Sequence, residues 1–284
     1  SNVVHCVFQD HKGFIWFGTD DGLNRYDGYE FTVYKYNSLD SNSLSSNSVF
    51  EIYEDSKNRL WIAASSGVDI FNPDTRAFKH VPFFDVELPD RYRSYTRAIV
   101  EDHKGNILIA NSNGIFIYDS LKQGFVRYLK NIANYGSSQQ EAIRSLLIDR
   151  QNRIWIGSLG YGLYGYDLNR KEVFASPWED TDISIRDRIW SLTQDENGHI
   201  WVGTDNGIYI ISTDLGSIKK LEALERIDNP YVKNVRNIYI EDAYHIWIGT
   251  DGGGLLLYDR HNNRIKRYIA DEFSLQSENG SYRF

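Results

Sequence analysis

Asp10-His11-Lys12-Gly13-Phe14-Ile15-Trp16-Phe17-Gly18-Thr19-Asp20-Asp21-Gly22-Leu23-Asn24-Arg25-Tyr26-Asp27 is the stretch whose reading decides the fold. An Asp-x-x-Gly turn leads into an apolar Trp-x-Gly strand, and a second glycine turn leads into a strand ending Tyr-Asp. The phrase returns five times. Repeat two runs from Asp55 to Trp61 and then Gly67 to Phe71; repeat three from Asp102 to Leu108 and then Gly114 to Asp119. Repeat four has Asp149, Trp155-Ile156-Gly157 and Gly162 to Asp167; repeat five has Asp195, Trp201-Val202-Gly203-Thr204 and Gly207. Repeat six has Asp242, Trp247-Ile248-Gly249-Thr250 and Gly254 to Asp259. The anchoring aspartates lie 45, 47, 47, 46 and 47 residues apart.

That period falls in the range of four-stranded propeller blades. Each unit reads as four strands, in the first repeat Val3 to Gln9, Phe14 to Gly18, Leu23 to Tyr26 and a weaker one carrying Phe31 and Tyr34. Four strands and their turns consume the whole period, which leaves no room for a helix. The expected fold class is therefore all-β, a β-propeller of four-stranded blades with six repeats present, most of a seven-bladed ring. One domain, residues 1–284, divides into repeats at about 1–46, 47–93, 94–140, 141–186, 187–233 and 234–273. Ser274-Leu275-Gln276-Ser277-Glu278-Asn279 resembles Ser43-Leu44-Ser45-Ser46-Asn47, which introduces repeat two, so residues 274–284 read as the start of a truncated seventh.

Composition agrees. With 41% hydrophobic and 25% charged residues in 284, the chain can bury a core, which excludes disorder. Aromatics at 14%, with 20 Tyr and 7 Trp but 5 Pro, favour short strands. Lys and Arg number 31 against 39 Asp and Glu, for a net charge of −8, and the basic residues form no stripe; nucleic acid is not an expected partner. No apolar run approaches the roughly 18 residues that a membrane helix needs. Cys6 is the single cysteine, so neither an internal disulfide nor a Cys-based metal cluster can form. No cofactor and no metal site are expected.

Two recurring residue types read as architecture. Trp16, Trp61, Trp155, Trp201 and Trp247 recur at one blade position, as packing between blades requires, although single tryptophans elsewhere serve as sugar platforms. Asp10, Asp55, Asp102, Asp149, Asp195 and Asp242 could suggest calcium, but the cations and large amides beside them do not build an oxygen cage. Their expected role is the Asx-turn, in which the carboxylate accepts backbone N–H bonds.

The informative position is the one that the repeat leaves free. Five residues before each Asp, in the innermost strand, stand His5, Phe50, Arg97, Arg144, Trp190 and Asn237, whereas three before it the residues are mostly aliphatic. This variable set should face the central channel or its mouth, where charge-assisted donors and flat faces suit a polar or anionic ligand such as a sugar or uronate. A water-filled tunnel would also accept them. Arg97, Arg144 and Trp190 are the strongest candidates. The longer connections offer an alternative site at Arg91, Tyr92, Arg93, Tyr95, Trp178, Arg186 and Arg188. No catalytic residues are assigned, because no His-x-x-x-His, nucleophile elbow or phosphate-cradling loop occurs. A propeller hydrolase or lyase with carboxylates drawn from different blades, and a purely structural or protein-docking propeller, stay open as alternatives.

The stretch Asp10 to Asp27, with its introduction Ser43 to Asn47, resembles the two-component regulator propeller repeat found in extracytoplasmic sensor regions of hybrid histidine kinases of polysaccharide-degrading gut bacteria. The resemblance covers all six units, is strongest in repeats one, two, five and six, and weakens in repeat three, where Leu108-Ile109-Ala110 replaces Trp-x-Gly. It implies a periplasmic sensor propeller that binds a glycan breakdown product and is not itself an enzyme. The implied partners are an oligosaccharide, a second propeller, a β-sandwich and, for the whole receptor, a second copy in a homodimer. This portion would touch neither nucleic acid nor membrane, and phosphotransfer would belong to a kinase domain elsewhere.

Overall fold

Short runs of alternating apolar residues, punctuated by Gly and Asp turns, form twenty-four strands among the residues that the computed structural model describes: 3–84, 95–111, 114–129, 143–160, 162–174 and 188–269. They assemble as six four-stranded sheets in sequential order, and the neighbouring strands whose register is described run antiparallel. The chain divides into two compact units, Ser1–Ile143 and Arg144–Phe284.

In the first unit, blade one is β1 (Val4–Gln9), β2 (Ile15–Thr19), β3 (Gly22–Tyr26) and β4 (Phe31–Tyr34). Blade two is β5 (Val49–Glu54), β6 (Leu60–Ala64), β7 (Gly67–Asn72) and β8 (Ala77–Val81). Blade three is β9 (Ala98–Glu101), β10 (Ile107–Asn111), β11 (Gly114–Asp119) and β12 (Gly124–Tyr128). In the second unit, blade four is β13 (Ile143–Ile148), β14 (Arg153–Ser158), β15 (Leu163–Asp167) and β16 (Glu172–Phe174). Blade five is β17 (Ile189–Gln194), β18 (Ile200–Thr204), β19 (Gly207–Ile211) and β20 (Ile218–Lys220). Blade six is β21 (Val235–Ile240), β22 (His245–Thr250), β23 (Leu255–Asp259) and β24 (Arg264–Tyr268).

Within each unit the first strands of successive blades lie against one another, β1 on β5, β5 on β9 and β17 on β21. The tryptophans explain how. Trp16 of blade one is buried among Ile52, Leu60, Ile62 and Phe71 of blade two, and Trp61 among Ile99, Ile107 and Phe116 of blade three. Trp155 enters blade five and Trp201 enters blade six in the same way. Blades one, two, four and five thus each insert an indole into the next. Trp247 departs from the expected burial: it is only partly buried, and among the described residues of its unit no later blade receives it.

The glycine of Trp-x-Gly serves the same contact. A Cβ at Gly18 would meet Cys6 Sγ at 2.5 Å and Val49 Cγ1 of the next blade at 2.9 Å, and at Gly203 it would meet Val235 Cγ1 at 2.9 Å. At Gly249 the nearest atom among the described residues stands at 3.8 Å. The phrase Ser43 to Asn47 is also structural, since Leu44 is fully buried beside Trp16 and the Ser45 amide donates to Asp69.

One expectation fails in detail. The connection from blade five to blade six holds a helical turn at Glu222–Glu225 and a 3-10 turn at Pro230–Lys233, where the sequence left no space for helix. The strand β20 is only three residues long, and the released chain folds back so that Leu224 and Val232 close the core between these blades. The proposed seventh repeat, residues 274–284, lies outside the described residues.

Candidate functional site

The Asp turn and the indole form one unit. Asp55 Oδ1 accepts the backbone N–H groups of Lys57 and Arg59, while Oδ2 accepts Arg59 Nε at 2.6 Å and Trp61 Nε1 at 2.9 Å. Asp10 holds Trp16, Asp149 holds Trp155 and Asp195 holds Trp201 with the same six-residue spacing. In blade three, where Leu108 replaces Trp, Asp102 keeps the turn and takes Asn106 Nδ2 instead. Burial pushes the Asp55 and Asp195 carboxyls up, but the indole N–H and the neighbouring arginine more than offset this and hold both below their ordinary value.

Blade six corrects the register. Trp247 Nε1 donates to Glu241 at 2.9 Å, so Glu241 occupies the anchoring position, whereas Asp242 caps the turn through the amides of Tyr244 and His245 and the His245 ring. Five residues before the true anchor stands Arg236, not Asn237. Asn237 pairs regularly opposite Gly249 in the β21–β22 ladder.

A β-bulge defines the position independently. The ladder of the first two strands slips between Val4 and Cys6, between Val49 and Glu51, between Ile189 and Ser191, and between Val235 and Asn237. His5, Phe50, Trp190 and Arg236 are the extra residues. In blade three, Arg97 N donates to the Ala110 carbonyl while Ala98 also faces Ala110, which sets Arg97 at the same point. An inserted residue leaves the alternation of the strand and its side chain is re-aimed, a device common beside functional sites.

The bulged side chains meet within each unit. In the first, the His5 ring lies 5.0 Å from Phe50, and the Arg97 guanidinium covers the Phe50 ring at 3.7 Å and approaches Tyr95 at 5.8 Å. In the second, Trp190 lies between two arginines, Arg236 at 3.7 Å and Arg144 at 5.1 Å. Cation and aromatic alternate, so each guanidinium is oriented by a flat neighbour.

The carboxylates are placed just as regularly. His5 Nε2 lies 2.7 Å from Asp20, Trp190 Nε1 donates to Asp205 at 2.5 Å, and Arg236 Nη2 donates to Asp251 at 2.7 Å. In all three the aspartate follows its bulged residue by fifteen positions and sits in the turn after the Trp strand. Arg236 also reaches Asp205 at 3.1 Å. Of the alternative loop site, Arg188 lies 4.0 Å from Asp205 and Tyr95 is 47% exposed beside Phe50; Arg91, Tyr92, Arg93, Trp178 and Arg186 lie outside the described residues. Sequence reasoning missed Arg236, Asp20, Asp205 and Asp251. The carboxylate six residues before each Trp is the signal that places Arg236.

Among the described residues no cluster of His, Cys, Asp and Glu could hold a metal, and no helix is long and apolar enough to cross a membrane.

The family described as two component regulator propeller matches residues 1–21, 43–66, 137–160 and 185–206, the phrases of blades one, two, four and five. The histidine kinase P4 of Formosa agariphila is 47% identical over 45 residues, which is 16% of this chain and 3% of that protein. The extracellular domain of a putative hybrid two-component system from B. thetaiotaomicron superposes with a TM-score of 0.74 at 24% identity, over 99% of this chain and 37% of that one. Virginiamycin B lyase from Staphylococcus aureus gives 0.71 at 14% identity, over 97% of this chain and 85% of the lyase. The chain therefore spans only about a third of the sensor structure it matches. The fold is a β-propeller, and the phrases of blades one, two, four and five match the two-component regulator propeller repeat.

Proposed function

We propose that the chain is a ligand-sensing propeller from the extracytoplasmic, periplasmic part of a membrane-spanning hybrid two-component sensor. Its ligand is a glycan breakdown product, and its occupancy regulates carbohydrate-utilisation genes through a kinase beyond this chain. The observation that carries the reading is the set of bulged side chains, which gathers stacking faces and guanidinium donors at one strand position in successive blades. Such a pairing suits a sugar, which offers an apolar ring face and polar edges. The second propeller, β-sandwich and homodimeric partner belong to the same proposal. A ligand can bias such a receptor only through different affinities for its signalling states. The test is calorimetric titration of the chain with an oligosaccharide panel; absence of heat with every member, in the chain and in the whole sensor region, would remove the sensing role and leave a docking propeller.

A second reading has one observation in its favour. His5 and Asp20, 2.7 Å apart, form a His–carboxylate pair of the kind that acid–base catalysis uses, on a fold shared with a lyase. Turnover of any glycan in the panel, abolished in His5→Ala while the fold persists, would establish the enzyme instead.

A further inference from the structure

The bulged arginines differ in what neutralises them. Arg236 has its in-register aspartate, Asp251, fifteen residues on, and the neighbouring blade's Asp205 as well. Its charge is satisfied within the fold. At the corresponding step from Arg97 the sequence carries Ser112, so the aspartate is missing from blade three. Phe50, the bulged residue next to it, likewise has Ser65 rather than Asp at that step. Among the described residues Arg97 makes no side-chain hydrogen bond and no ion pair; its guanidinium is held only by the faces of Phe50 and Tyr95.

Resting on the proposed sensing role, we infer that Arg97 is the anion anchor of the first unit's site, which takes a sugar bearing a carboxylate or a sulfate ester. The geometry gives each group a task. Phe50 fixes the plane of the guanidinium, leaving its N–H edge to bond two oxygens of one anion, and Tyr95, 47% exposed, offers a flank for the sugar ring. Asp20 is paired with His5 through Oδ1 at 2.7 Å, and among the described residues no ion pair joins it to Arg97. Burial pulls the Arg97 guanidinium below its usual range, with Tyr95 and Asp20 offsetting this only in part; the side chain stays charged and lacks a full counter-charge. An anionic ligand would supply to Arg97 what Asp251 supplies to Arg236.

The experiment uses the 284-residue chain with three probes, glucuronic acid, glucose 6-sulfate and glucose, followed through the arginine side-chain Nε–H signals in NMR titrations. The Arg97 signal, assigned by its loss in Arg97→Gln, is expected to move with one or both anionic probes and not with glucose. Affinity should fall as salt is raised, and by about tenfold or more in Arg97→Gln, with partial retention in Arg97→Lys and an unchanged melting temperature. Response to glucuronic acid alone identifies a carboxylate ligand, and response to the sulfate ester alone a sulfated one. Equal binding of glucose, undiminished in Arg97→Gln, overturns the anion anchor while the sensing role stands. Failure of all three to move the Arg97 signal also overturns the anchor, and the sensing role is then decided by the oligosaccharide panel.

Discussion

Asp55 shows how much one side chain carries in this fold. Its carboxylate is fully buried and accepts two backbone amides, a guanidinium and an indole N–H, so its removal leaves several buried donors unpaired at once. Asp55→Ala is expected to destabilise the chain by about 3 kcal/mol, measured by urea unfolding. Glu241→Ala, which frees the exposed bond to Trp247, should stay below about 1 kcal/mol. The direction of the carboxyl shifts gives a pH dependence. Asp55 and Asp195 titrate lower in the folded chain than in the unfolded one, so their stabilisation is full above the ordinary value of 3.8 and is lost as pH falls through the folded values. Urea midpoints should therefore drop steeply below about pH 4, and in Asp55→Asn this drop should be shallower.

At the scale of the element, the four strands of each blade were legible because their signals are local: a glycine turn, an apolar strand, another glycine turn. The bulge was not legible. One extra residue in β1, β5, β17 or β21 changes neither composition nor the period, and it shows only when the partner strand supplies a register. In blade six the neighbouring acids Glu241 and Asp242 both suit a turn, and only the indole's reach of six residues separates them; choosing Asp242 moved the site from Arg236 to Asn237. The partners Asp20, Asp205 and Asp251 were hidden because they sit in the repeated phrase itself, where they read as turn residues. Close approach offers a prediction at this scale. A Cβ at Gly165 would fall inside the Phe174 ring, which packs edge-on against Trp155 at 5.1 Å. Gly165→Ala should cost about 1–3 kcal/mol through overpacking, read as a lowered thermal midpoint with the strand signature of circular dichroism retained.

For the molecule as a whole, stability should be graded along each unit. Strands β14 and β18 are buried at every residue, whereas β1 and β24 alternate between exposed and partly covered positions. Amide exchange is expected to be slowest in β14 and β18 and fastest in β24 and β1, by mass spectrometry of peptic fragments. Equal protection across all four would show that the faces of blades one and six are covered in solution. Recognition has a gradient of its own. The second unit neutralises its bulged arginine Arg236 internally, and the first leaves Arg97 without such a partner, so chemically similar ladders have different capacities for a ligand.

The insertion of four indoles into the following blades also makes the protein optically asymmetric. Trp16, Trp61, Trp155 and Trp201 are nearly or fully enclosed, and their emission should be blue and insensitive to solutes. Trp247 stands partly in solvent, its ring tilted against Tyr268 at 5.6 Å, and should emit further to the red. The fluorescence lost in Trp247→Phe is expected to be the component that acrylamide quenches most steeply. Any body that docks on blade six over Trp247 would shield that component, so one indole reports the docking.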